Sequence, residues 1–209
     1  MSILSQLASA QGVRSDVPNQ ELARRLAESE DHAAIAELAA NLLNKDRHIQ
    51  SDCIKTLYET GYLKPQLIAA YAPDFLKLLH SRNNRLVWGA MIALSTISSL
   101  AADILFPHIE RIQKTMDQGS VITVDAGVLA LAGIASAKAE YNAVLFPYLL
   151  HHLQTCRPKE VAQHAESVLP AVNAANKEDY IRVLEKRMSD LSPSQITRLK
   201  RCIKTASAK

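Results

Sequence analysis

Little in this 209-residue chain favours a sheet or a membrane span. Aromatic residues make up 5% and glycines number six, so the turn-rich, aromatic composition that strands prefer is missing and helices are expected throughout. No apolar run approaches the roughly 20 residues that a spanning helix needs. The amino-terminal MSILSQLASAQGVRSDVP has neither a basic start nor a long apolar core, so no signal or transit peptide is expected. The three cysteines, Cys53, Cys156 and Cys202, are odd in number, widely separated and without a second ligand at metal spacing. Reduced thiols and a cytoplasmic location are the expectation. What is abundant is apolar aliphatic surface: at 48% apolar the chain can bury a sizeable core, hiding about 70% of its unfolded surface as chains of this size do.

That apolar content is periodic. With Val87 as origin, Ala90, Ala93, Leu94 and Ile97 follow at offsets of three, six, seven and ten, and 37 residues later the pattern returns as Val124, Gly127, Ala130, Leu131 and Ile134. A more polar copy precedes it at Gln50, Cys53, Thr56, Leu57 and Thr60, and a weaker one follows at Val161, His164, Ser167, Val168 and Ala171. Offsets of three, four and seven put these side chains on one helical face, and the small entries allow a neighbouring helix to come close. A second motif stands before three of the copies. Tyr71-Ala72-Pro73, Leu105-Phe106-Pro107 and Leu145-Phe146-Pro147 each lead into an apolar helical run, and a proline recurring inside such a run marks a kinked partner helix.

A kinked helix, a turn and a straight helix repeating every 37 residues resemble the HEAT-repeat family. The resemblance is carried by the proline of the first helix and by V-x-x-(A/G)-x-x-A-L-x-x-I in the second, at Val87–Ile97 and Val124–Ile134, and it covers residues 31 to 174. It departs from the family where an Arg often follows the Val to join a ladder between repeats, since Ser51, Trp88, Asp125 and Ala162 stand there. The implied fold is all-α, a right-handed α-solenoid of about five helical hairpins, an α-α superhelix. The expected organisation is a flexible amino terminus over 1–15, capping helices over 16–44, repeats over 45–174 and carboxyl-terminal capping helices over 175–209. Helices are expected from Lys45 to Thr60, with Gly61 ending the first as a left-handed cap, and from Leu63 to His80 as a kinked partner.

Catalytic signatures are missing. There is no phosphate-binding glycine loop, no HExxH and no CxxC. Metal-dependent enzymes among HEAT-like proteins use adjacent His-Glu pairs, which this chain lacks. His151 and His152 point about 100° apart on a helix and read as surface residues rather than a metal site. Neither a cofactor nor a metal is expected, and the chain reads as a non-enzyme.

Charge is uneven: residues 1–46 hold four basic and seven acidic groups, residues 177–209 nine basic and four acidic, within an overall balance of +3. Lys186, Arg187, Arg198, Lys200, Arg201 and Lys204 could meet phosphates. A solvated terminal helix whose cations complement its dipole accounts for the same residues.

The straight helices carry a second stripe, one residue out of phase with the first, in which Tyr58, Trp88, Ile92, Asp125, Leu129 and Glu166 succeed one another. Straight helices of HEAT-like arrays line the concave side where partners are held, so an exposed Trp88, Ile92 and Leu129 rimmed by Tyr58, Asp125 and Glu166 would form a protein-binding groove. A core position for the only tryptophan is the competing reading. Trp88 and Asp125, one repeat apart, also resemble the aromatic and acidic pairing of HEAT-like alkylpurine DNA glycosylases. The expected function is a protein-binding scaffold. A nucleic-acid-binding module related to those glycosylases is the alternative, and a homodimer that buries the Trp88 stripe is the third.

Overall fold

The computed structural model describes residues 2–209, and every regular element among them is an α-helix or a 3-10 turn. After a 3-10 turn at Ile3–Gln6 come α1 (Val17–Ser29), α2 (His32–Ala40), α3 (Arg47–Leu63), α4 (Ala72–Leu78), α5 (Asn84–Ile97), α6 (Ala102–Leu105), α7 (Ile109–Asp117), α8 (Val121–Ala137), α9 (Ala139–Thr155), α10 (Pro158–Val168), α11 (Lys177–Arg187) and α12 (Pro193–Ser207). None of these helices is long and apolar enough to cross a membrane.

Local chemistry sets most of the boundaries. Asp31, Asp46 and Asn83 accept backbone N–H bonds at the starts of α2, α3 and α5, which satisfies donors that a helix start leaves open. Pro18, Pro158 and Pro193 stand in the first turns of α1, α10 and α12, where a missing N–H costs nothing. At α12 the Ser192 N–H also donates to Gln195 Oε1 at 3.1 Å.

The recurring prolines behave in two ways. Pro147 lies inside the continuous helix α9. The segment expected to run as one kinked helix from Leu63 to His80 is instead two 3-10 turns, Pro65–Leu67 and Ala69–Tyr71, followed by α4 with Pro73 in its first turn. Pro107 likewise sits in a 3-10 turn, Phe106–His108, between α6 and α7. Where a fresh helix can start at the proline, the chain restarts rather than bends.

Gly61 does not end its helix. It lies within α3, and a Cβ there would meet Thr96 Oγ1 at 2.3 Å and Ile68 Cδ1 at 2.7 Å. Gly89 on α5 faces Ile54 in the same manner, with a Cβ at 3.0 Å from its Cγ1. Both pairs lie 35 residues apart (61 to 96, 54 to 89), so α3 and α5 run parallel in a constant register. Gly127 on α8 accommodates Met116 of α7, whose Cγ would stand 2.7 Å from a Cβ. Gly127 is one of the small positions of the repeat, whereas Gly61 and Gly89 fall outside the offsets that define it.

The chain divides into two compact units, Met1–Ala130 and Leu131–Lys209, with the division inside α8. In the first, α3 is central and packs against α1, α2 and α5. Residues 2–9, expected to be loose, are tied to it. Leu7 is fully buried, Ala8 N–H donates to Asn19 Oδ1 at 3.0 Å, and Ser9 N–H donates to Asp52 Oδ2 at 2.8 Å. Asn19 Nδ2 closes the network by donating to Asp52 Oδ1 at 2.8 Å. A buried carboxylate with two such donors, one to each oxygen, is solvated by the protein instead of by water.

In the second unit, α12 packs on α10 and α11, and α11 on α9. Buried Asn142 donates to the carbonyls of Ala135 and Ala171 and accepts from Asn173 and Asn176, which holds the loop before α11. Tyr180 is fully buried, and its hydroxyl donates to the Ala165 carbonyl at 2.7 Å. On the surface, Arg198 of α12 makes a two-pronged bond to Glu166 of α10, Nε to Oε1 at 2.9 Å and Nη2 to Oε2 at 2.6 Å. That hydrogen bond holds the Glu166 carboxyl below its ordinary range.

Two outcomes follow. Gly61→Ala is expected to destabilise the protein by about 1–3 kcal/mol in denaturant unfolding, because the stiff Thr96 must move, and Gly61→Ala combined with Thr96→Ala should cost less than the two changes added separately. Glu166→Gln should lower stability by less than about 1 kcal/mol near neutral pH, since the pair is part-exposed. Because the folded-state pKa is depressed, the contribution is present above the ordinary carboxylate value of 4.5 and lost as pH falls through the lower folded value. Thermal unfolding of the two proteins should therefore converge in acid.

Candidate functional site

On the first unit an aromatic ridge crosses from α3 to α5. Tyr58 and Tyr62 lie one turn apart on α3, their ring centroids 6.1 Å apart and nearly edge-on at 81°. The Tyr58 ring is 6.2 Å from that of Trp88 on α5, tilted by 57°. Tyr58, in the middle, is buried, Trp88 half-buried and Tyr62 59% exposed, so the ridge has a buried base and reaches solvent on both sides of it, most at Tyr62. Tilted and edge-on pairs of this kind add to the stabilisation that burial alone gives.

Charges frame the ridge. Lys55 Nζ stands 5.0 Å above the Tyr58 ring, donates to Glu59 Oε1 at 2.6 Å and lies 3.7 Å from Asp16. The guanidinium of Arg85 is 5.9 Å from the Trp88 ring, and its Nη2 is 3.4 Å from the other oxygen of Asp16. Asp16, at the start of α1, thus bridges the cations of α3 and α5. Burial pulls the Lys55 ammonium down, but its bonds to Glu59 and Tyr58 outweigh this and the net shift is upward. Burial pushes both the Tyr58 and Tyr62 phenols up, so each keeps its proton at neutral pH and can donate to a ligand. Next to the ridge and sharing Asp16 and Arg85 is a hollow of about 470 Å³ lined also by Arg14, Asp46, His48 and Asp52.

The remaining stripe residues are distributed as follows. Ile92 follows Trp88 by one turn and is 9% exposed, so it is the floor rather than the open part of the surface. Asp125 and Leu129 lie one turn apart on α8, Asp125 half-buried and Leu129 exposed. Glu166 belongs to the second unit, where Arg198 engages it. The structure therefore joins Tyr58 to Trp88 directly and adds four residues that the stripe omitted: Asp16, Glu59, Tyr62 and Arg85. Three of them were within reach of sequence reasoning, since Tyr62 and Glu59 are neighbours on the Tyr58 helix and Arg85 stands three before Trp88. Asp16, 69 residues from Arg85, gave no such signal.

The six basic residues near the carboxyl terminus do not act alike. Arg187 donates to the carbonyls of Leu153 at 2.6 Å and Cys156 at 2.8 Å, which satisfies the end of α9. Arg198 is held by Glu166. Lys186 on α11 and Lys200, Arg201 and Lys204 on α12 are exposed.

No protein-family model and no curated protein matches the chain. Solved structures do. An engineered protein superposes with a TM-score of 0.66 at 18% identity, over 100% of this chain and 98% of its own. A designed armadillo repeat protein in complex with the peptide (KR)4 gives a TM-score of 0.70 at 17% identity, over 90% of this chain and 86% of its own. Kap121p gives 0.63 at 17% identity, with 95% of this chain falling on 22% of that much longer one. At such identities likeness speaks for the fold, and it agrees with the parallel register of α3 and α5: the protein is an all-α solenoid of the HEAT/armadillo-like fold.

Proposed function

We propose that the protein is a non-catalytic interaction scaffold and that the α3–α5 ridge takes an extended segment of a protein partner. The observation that carries this reading is the Tyr62–Tyr58–Trp88 ridge, which reaches solvent at Tyr62 and is flanked by cations and carboxylates in fixed positions. Aromatic anchors with a buried base and a charged rim are the residues on which binding energy concentrates. A segment carrying a flat apolar or guanidinium side chain would stack on Trp88 and Tyr62, and its backbone could bond the Tyr62 hydroxyl and the Asp16 carboxylate. The likeness to a designed armadillo protein that is in complex with a peptide supports a peptide as ligand.

The test is selection of binding segments from a random displayed peptide library, followed by titration of a selected peptide while Trp88 fluorescence is recorded. Binding should change the emission, and Trp88→Ala should weaken affinity tenfold or more, about 1.4 kcal/mol or above. Lys200→Ala with Arg201→Ala should leave it unchanged. Duplex DNA bound at moderate salt, lost in the Lys200/Arg201 variant and retained in Trp88→Ala, would move the function to nucleic acid. A concentration-dependent dimer in which acrylamide no longer reaches Trp88 would give the ridge to a second copy of the chain.

A further inference from the structure

The second unit gathers three metal-ligating side chains. His152 in the last turn of α9 and Cys156 at its C-cap are four residues apart and share a face. His164 comes to them from α10. One ligand atom of each lies within 4.8 Å of the other two. The rings of His152 and His164 have centroids 4.9 Å apart, with Nε2 of the first 3.0 Å from Nδ1 of the second. At that distance one nitrogen donates a proton to the other, and a metal ion can take the place of the shared proton.

A tetrahedral ion with nitrogen ligands at about 2.0 Å and sulfur at about 2.3 Å needs its ligand atoms roughly 3.3 to 3.7 Å apart. The histidine pair is slightly inside that spacing and the cluster as a whole extends to 4.8 Å, about an ångström outside it, so closing on an ion takes side-chain rotations that move the ligand atoms by about that much. His164 is fully buried in the interior face of α10 among Val161, Ala165 and Val168, while His152 and Cys156 are half-buried and give solvent access. Burial pushes the Cys156 thiol up, and Arg187, which passes beside it to reach its carbonyl, offsets this only in part, so the sulfur keeps its proton until an ion displaces it. Glu160, nearby, is paired with Arg157. Two imidazoles and one thiolate are the donor set of a borderline-soft ion, whereas calcium and magnesium take oxygen ligands.

We propose that His152, Cys156 and His164 form a three-ligand site for a thiophilic divalent transition-metal ion, zinc by its donor set, which fastens α9 to α10 and leaves a fourth position open to water or to a ligand from a partner. Binding breaks the Cys156 S–H bond, and that proton leaves to solvent. The hydrogen between the two imidazoles is not lost but moves to the other nitrogen of its own ring, so both histidines ligate as neutral imidazoles, and no oxidation change is involved.

The test uses the reduced, chelator-stripped full chain titrated with Co²⁺ as a spectroscopic probe. The expected result is one ion per chain, with tetrahedral ligand-field bands and a thiolate-to-cobalt charge-transfer band, both removed by added Zn²⁺. Cys156→Ser should abolish the charge-transfer band and His152→Gln should weaken binding at least tenfold. Both changes are at half-buried positions, and circular dichroism checks that the variants are folded. Cys202→Ser should leave the spectrum unchanged. Zn²⁺ should raise the melting temperature of the native chain but not of Cys156→Ser. An octahedral spectrum without charge transfer, or a charge-transfer band that survives in Cys156→Ser, would overturn the site.

Discussion

The close approach of α3 to α5 is the constraint on which the first unit depends. Gly61 and Gly89 remove the side chains that would hold the two helices apart, and Thr96 and Ile54 enter the space. Since each contact lies at the same interval along the chain, the two helices have one register in which both fit. That register decides which residues of α3 stand beside which residues of α5, and so brings Tyr58 against Trp88. The candidate surface is therefore a product of backbone packing one layer below it, at residues that a ligand would never touch.

Polar groups complete what the glycines begin. Each unit holds a buried asparagine that gathers otherwise unsatisfied backbone: Asn19 takes the Ala8 N–H and donates to Asp52, and Asn142 takes in the carbonyls of Ala135 and Ala171. Apolar side chains in those positions would leave carbonyl or amide groups without partners in the interior, a larger loss than the bonds themselves are worth. The amide is suited to this because it donates and accepts at once. Arg187 does similar work at the end of α9 with a charged fork, which is why one member of an apparently basic face is turned inward.

The architecture was legible in the sequence because small residues at fixed offsets record helix packing directly. Details failed where one residue type serves two ends. A glycine near the end of a helix reads as a left-handed cap, yet Gly61 is needed for the contact with Thr96, a partner 35 residues away. A proline reads as a kink, but the helix can also run on through it, as at Pro147, or restart at it, as at Pro73, and the residue itself is the same in both. Residues 2–9 looked loose because Asn19 and Asp52, which hold them, belong to other helices, yet Ile3 and Leu7 are buried. Tyr58 and Trp88 stand at different positions of one stripe along the straight helices, and that stripe placed them on the same surface. Cys156 was read as lacking a second ligand and His152 as a surface residue, although the two stand one helical turn apart and His152 is half-buried, and nothing local connects either to His164 on the next helix.

The tie between Ser9 and Asp52 also bears on the order in which this protein is made. Ser9 is bound to a carboxylate synthesised 43 residues after it, and Ala8 to Asn19, whose own bond is to that same carboxylate. This segment therefore has its partners only once α3 has been made, and its docking waits on residues well beyond its own hairpin, unlike the local growth that suits a stack of helical hairpins.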